Sequence, residues 1–165
     1  MADTFSFDCV SDFDRQELVN TVDQVRRDVA QRYDLKDSGT EIALEEASLT
    51  ITTASDMTLQ AVEDVLRQKA TKRNLSLKIF DFQSAEAVGG NRVKQEVKLR
   101  RGLSQEVAKK LSKVLRDQLK KVTVSIQGDS LRVTGKSKDD LQAAIVLLRE
   151  QEKDLDLPLQ FENYR

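Results

Sequence analysis

The sequence predicts an α+β protein of two similar βαββαβ units, each a four-stranded antiparallel sheet with two helices on one face. Three observations carry this. Apolar spacing switches between a period of two and a period of three to four, in the same order in both halves of the chain. Residues 49–67 and 131–149 match at eight of 19 positions without a gap: Leu49, Thr52, Ser55, Leu59, Gln60, Ala61, Leu66 and Arg67 against their equivalents 82 residues later. Between the halves, Ser84-Ala-Glu-Ala-Val-Gly-Gly-Asn91 breaks the pattern, and its paired glycines permit turns.

The first unit, 1–83, opens with Phe5, Phe7 and Cys9 alternating with Ser6, Asp8 and Val10, as on a strand with one apolar face. Leu18, Val22, Val25 and Val29 step by four, three and four and predict a helix from about Asp14 to Tyr33. Thr40–Glu45 and Leu49–Thr53 alternate as strands around a tight turn near Glu46-Ala47. Leu59, Val62, Val65, Leu66 and Ala70 predict the second helix, and Leu77–Phe82 a closing strand.

After a linker at 84–91, the second unit, 92–165, repeats the order. Val93, Gln95, Val97 and Leu99 line one face of a strand, and Leu103, Val107, Leu111, Val114 and Leu115 make a helical stripe. Val122, Val124 and Ile126 lead through Gly128-Asp129 to Leu131 and Val133, a hairpin. Ser137-Lys-Asp-Asp140 has capping-box spacing ahead of Leu141, Ala144, Ile145 and Leu148, and Leu159–Phe161 follows Pro158 as a last strand. Units this alike can also exchange equivalent strands, and the sequence leaves that alternative open.

Composition removes whole classes of chemistry. With no histidine there is no imidazole base, no Ser–His or Cys–His pair and no histidine metal ligand. Cys9 is the only cysteine, so no internal disulfide can form and zinc would have to rely on carboxylates; a magnesium site of carboxylates stays open. No apolar run reaches the ~20 residues that span a bilayer, and Met-Ala-Asp-Thr-Phe lacks the regions of a signal peptide. The expectation is a cytoplasmic protein without a cofactor. Charge is uneven: residues 1–83 carry a net of −6, residues 84–165 a net of +5, and 92–138 alone a net of +10. Such a stretch suits an anionic partner, or a solvated lysine-rich surface.

Individual motifs carry less. Gly135-Lys136-Ser137 resembles the end of a phosphate-binding P-loop, but the required earlier glycine is Ser130, and Leu131–Thr134 reads as strand. A single phosphate on the helix start and Lys136 is the weaker version; a plain N-cap at Ser137 explains the residues as well. Lys109, Lys113, Arg116 and Lys120 fall along one helix face and could follow a phosphate backbone, as would the wet side of any amphipathic helix. The strands at 49–53, 93–99 and 131–133 contain no aromatic residue, so bases are not expected to stack on the open sheet face as in RNA-recognition domains. Asp12 with Asp14, and Asp139 with Asp140, sit where helices begin and need no catalytic explanation.

Several segments together resemble the bacterial YajQ family, nearly end to end. They are Phe7-Asp-Cys-Val-Ser11, Arg32-Tyr-Asp-Leu-Lys36, Val97-Lys-Leu-Arg-Arg-Gly-Leu103, Val133-Thr-Gly-Lys-Ser-Lys-Asp-Asp-Leu-Gln142 and Gln160-Phe-Glu-Asn-Tyr-Arg165. Cys9 stands for an aliphatic residue, Leu35 for an aromatic one and Tyr164 where phenylalanine is common. The resemblance implies a tandem of ferredoxin-like (RNP-like) domains that binds a nucleotide without catalysis. Members have been linked to cyclic di-GMP and to GTP or tRNA, some as effectors that contact a transcription regulator. The cations at strand or helix ends within these segments, Arg32, Lys36, Lys98, Arg100, Arg132 and Lys136, are the nucleotide-binding candidates. RNA binding on Lys109, Lys113, Arg116 and Lys120 is the alternative, and a protein-interaction scaffold the third.

Overall fold

The computed structural model describes residues 4–165. In chain order the elements are β1 (Phe5–Val10), α1 (Arg15–Gln31), β2 (Glu41–Leu44), β3 (Ser48–Thr53), α2 (Asp56–Lys72), a 3-10 turn (Leu77–Ile79), β4 (Phe80–Phe82), β5 (Glu86–Val88), β6 (Arg92–Leu99), α3 (Gln105–Gln118), β7 (Val122–Gln127), β8 (Ser130–Gly135), α4 (Lys138–Glu152) and β9 (Gln160–Glu162). They form two antiparallel sheets with two helices each, a tandem of ferredoxin-like domains.

The units interleave in sequence. One is continuous, Phe13–Arg100; the other is split, Met1–Asp12 with Arg101–Arg165. The reason lies in strand pairing. In the continuous unit the sheet order is β2-β3-β6-β4, so β6 takes the central place that an opening strand would hold, registered Ile51↔Gln95 and Phe80↔Leu99. In the split unit the order is β7-β8-β1-β9, with β1 central and registered Phe7↔Val133 and Cys9↔Phe161. The division at 84–91 therefore gives way to crossings at 12/13 and 100/101. Residues 86–88 form β5, an additional strand paired on β6 through a turn where Gly90 and Asn91 have φ of 78° and 58°. The strand expected at Leu77–Phe82 is extended only from Phe80, because the Ser76 hydroxyl accepts the Lys78 N–H and winds the first three residues into a 3-10 turn.

Each unit has its own core. Leu18, Val22, Val25 and Val29 of α1 and Leu59, Val62, Val65 and Leu66 of α2 cover Leu49, Ile51 and Val97. In the split unit Leu111 and Leu115 of α3 and Leu141, Ala144 and Leu148 of α4 cover Phe7, Cys9, Leu131 and Val133. Helix starts follow side-chain chemistry: Asp14 accepts the N–H groups of Gln16 and Glu17, Ser55 forms a capping box with Thr58, and Ser104 and Ser137 accept from Val107 and Asp140. The matched Arg67 and Arg149 lie over Phe82 and Phe161, each with its guanidinium 4.5 Å from the ring centre.

Gly102 shows how closely the split unit is joined. Its φ is +82°, its N–H donates to the Ser11 carbonyl at 2.7 Å, and a Cβ there would lie 2.6 Å from an Asp129 carboxylate oxygen. Only glycine meets both demands.

Candidate functional site

In the continuous unit, α1 ends at Gln31 because Arg32 turns extended while its N–H still donates to the Asp28 carbonyl at 2.9 Å. The next turn is held by the Leu35 and Lys36 N–H groups, which both donate to the Arg32 carbonyl. Leu35 is buried in the core, and the Ser38 hydroxyl donates back to its carbonyl at 2.6 Å. With Leu35 drawn inward, Tyr33 is forced outward and is 90% exposed.

Charged groups surround that ring. The Lys36 ammonium lies 5.3 Å from its centre, and Arg32 donates through Nε and Nη2 to the two oxygens of Asp34, at 3.1 and 3.0 Å. The loop thus presents a planar ring open to solvent, two cations and one exposed carboxylate. A base can stack on the ring, for ~1–3 kcal/mol, and phosphate can meet the cations. The Arg32–Asp34 pair is itself exposed, so a ligand displaces little by breaking it, since such pairs contribute ~0–1 kcal/mol.

The other expected cations have different surroundings. Lys98 is exposed on the open face of β6, registered between Ser48 and Asp81. Arg100 is engaged within its own unit: Nη2 pairs with Asp81 at 3.2 Å and Nη1 donates to the Lys78 carbonyl at 2.9 Å. In the split unit Arg132 donates to Asp8 across β8 and β1, at 3.0 Å from Nε. Asp8 is only 7% exposed and also accepts from Asn163 at 2.9 Å. The Arg132 hydrogen bond, with help from Asn163 and against the cost of burial, holds the Asp8 carboxyl below its ordinary range, and Asp8 in turn raises the Arg132 pKa. Lys136 is exposed beyond β8, in a segment where Ser130–Gly135 is strand and Ser137 is a cap, so no P-loop exists.

Lys109, Lys113, Arg116 and Lys120 are all exposed, on α3 and just after it, and none is in an ion pair among the described residues. The candidates therefore divide into a loop (Arg32, Lys36), a strand end (Lys98, Arg100), an internally paired residue (Arg132), a helix entry (Lys136) and a row. Among the described residues neither open sheet face carries an aromatic: Phe80, Phe82 and Phe161 pack toward the cores. Among the described residues there is no cluster of three or more metal-ligating side chains, and no helix is long and apolar enough to cross a membrane.

Comparison with known proteins fits the whole chain. Residues 5–165 match the family model described as nucleotide-binding protein YajQ-like. The chain belongs to the YajQ-like family. Relatives named nucleotide-binding protein include one from Parasynechococcus marenigrum (strain WH8102), 80% identical, and one from Synechococcus sp. (strain CC9605), 79% identical. Another, from Prochlorococcus marinus (strain MIT 9211), is 72% identical; all three align over the full length of both chains.

Within this YajQ-like fold, the exposed aromatic of the Arg32–Lys36 segment is not at the position where the sequence departs from the family pattern. The departure at Leu35 falls on a core residue, whereas Tyr33, beside it, is the exposed ring. Periodicity could not have found it, because the α1 stripe, carried on from Val29, would place Tyr33 inward, whereas the helix ends at Gln31 and the loop turns Leu35 in instead.

Proposed function

We propose that this YajQ-like protein binds a guanine nucleotide, cyclic di-GMP first among them, without turning it over, as an effector in the cytoplasm. The observation that carries the reading is Tyr33, 90% exposed, with Lys36 against its ring and the Arg32–Asp34 pair beside it. Stacking would seat the base, Lys36 and Arg32 the phosphate, and the exposed Asp34 carboxylate offers acceptors to the N1–H and N2–H of guanine. The relatives named nucleotide-binding protein point the same way. A binding role rather than catalysis is supported by the lack of histidine and by Cys9, whose thiol burial pushes to about 12.

RNA binding is the second reading, favoured by the unpaired row Lys109, Lys113, Arg116 and Lys120. The two are separated by calorimetric titration with cyclic di-GMP, GTP and bulk tRNA at low and at moderate salt. Saturable micromolar binding of cyclic di-GMP, with weak or no competition by GTP, is expected. Silence toward the dinucleotide, in heat and in melting temperature, together with salt-sensitive tRNA binding, would overturn the first reading and establish the second.

A further inference from the structure

We propose that the split unit carries a second nucleotide site, in a pocket of about 360 Å³ lined by Phe5, Lys138, Leu141, Ile145, Tyr164 and Arg165. The proposal rests on the reading of the protein as a nucleotide binder and concerns a different place from the Arg32–Lys36 loop.

The pocket is built by a bulge in the last strand. β9 pairs with β1 as Asp8↔Glu162, and pairing resumes where the Ser6 and Arg165 backbones exchange hydrogen bonds of 3.2 and 2.9 Å. Two residues on β1 are thus matched by three on the tail, and Asn163 absorbs the excess with a φ of 56°. The Asn163 amide donates to Asp8, which Arg132 also holds, so the tail is pinned along β1.

Pinning decides where Tyr164 goes. It falls on the Phe7 side of the strand, with its ring 6.1 Å from that of Phe7 and tilted by 36°, yet it remains 61% exposed. Across the pocket, Leu141 and Ile145 of α4 supply an apolar wall, and the Lys138 ammonium lies 5.6 Å from the centre of the Phe5 ring. Among the described residues no Asp or Glu side chain lines the pocket, and neither Lys138 nor Arg165 is in an ion pair. Arg165 also adds to the positive field at Asp8.

The lining selects the occupant. An apolar molecule would leave two cations without a counter-charge, and inorganic phosphate would leave the aromatic and aliphatic walls unused. A nucleotide uses both, with its base against Tyr164 and Phe5 and its phosphate at Lys138 and Arg165. The volume lies within the ~300–1,000 Å³ of ligand pockets and suits a mononucleotide or one half of a cyclic dinucleotide.

The sequence supplies its own reporters, since its two tyrosines are Tyr33 and Tyr164. In a protein labelled with ring-¹³C tyrosine and titrated with cyclic di-GMP, the two ring signals, assigned with Tyr33→Phe and Tyr164→Phe, read the two sites separately. Both signals should move saturably, and Lys138→Glu should shift the Tyr164 response to at least tenfold higher concentration while leaving that of Tyr33 in place. Movement of Tyr33 alone overturns the second site and leaves the loop reading standing. Movement of Tyr164 alone supports the second site and removes the loop. If neither moves, both fall; if Lys138→Glu leaves the Tyr164 response intact, the pocket is not the site.

Discussion

The two units share a topology and almost the same charge, but they treat their cations in opposite ways. Counted by unit, the continuous one carries a net of −1 and the split one a net of 0, so the −6 and +5 of the two sequence segments disappear on folding. Yet seven of the ten ion pairs among the described residues lie in the continuous unit, where Arg26, Arg32, Arg67, Lys69, Arg73 and Arg100 all have acidic partners. The split unit has three, and the whole α3 row stands outside them. Net charge therefore says little about where an anion can bind. What counts is whether a cation is already engaged, and how firmly: the exposed Arg32–Asp34 pair yields at little cost, whereas Arg100 is held by Asp81 and the Lys78 carbonyl together.

The comparison assumes that the units are the interleaved ones, and excision tests that with an all-or-none outcome. Residues 13–100 hold every strand of their sheet, including the central β6, and should melt cooperatively as an isolated fragment. Residues 1–83 lack β6, so β3 and β4 lose their shared central partner and β1 has neither β8 nor β9 to pair with, and they should not. A cooperative melt of 1–83 with none for 13–100, followed by circular dichroism, would break the account of the fold.

Next in size is the paired-versus-unpaired distinction itself. If tRNA binds, changing Lys109, Lys113, Arg116 and Lys120 together to Ala should lower the slope of log affinity against log salt by about three, from ~0.7–0.9 per phosphate contact. Changing Arg26, Arg67, Arg73 and Arg100 should leave the slope nearly unchanged. Filter binding across a salt series measures both, and equal slopes for the two quadruple variants would erase the distinction.

Smaller effects probe the seams of the split unit. Gly102→Ala should cost ~1–3 kcal/mol from its left-handed φ and the Asp129 contact, whereas Gly89→Ala, with nothing within 4 Å, should be close to neutral in urea unfolding. Asp8 gives a pH signature. Its folded pKa is depressed, so the stability it contributes is present above the unfolded value, about 3.9, and is lost as pH falls through the folded one. The stability gap between the wild type and Asp8→Asn should therefore be full from neutrality down to the unfolded value and close only as pH falls below it. Least visible is Cys9, fully buried with its thiol at about 12, which should stay unmodified by a thiol reagent at neutral pH until the protein unfolds.

Much of the fold was legible because helix and strand periods are local. The stripe Leu18–Val29, the alternation in Leu49–Thr53 and the cap at Ser137 all read directly. Partner choice was not legible. Phe5-Phe7-Cys9 and Val93-Gln95-Val97 have the same alternation, and nothing local says which sheet each enters. The site divides along the same line. Arg32, Lys36 and the α3 row could be named from spacing and resemblance, but the engagement of Arg100 by Asp81 and of Arg132 by Asp8 depends on contacts 19 and 124 residues apart in sequence. The exposure of Tyr33 follows from the burial of Leu35, a tertiary fact.

The most direct test of the functional account is calorimetry with cyclic di-GMP on the wild type, Tyr33→Ala, Lys36→Glu and Arg100→Ala. The account predicts that Tyr33→Ala and Lys36→Glu each weaken binding tenfold or more, in line with ~1–3 kcal/mol for a stacked base, while Arg100→Ala stays within about twofold. Wild-type affinity in Tyr33→Ala and Lys36→Glu, with the loss appearing in Arg100→Ala instead, would contradict it.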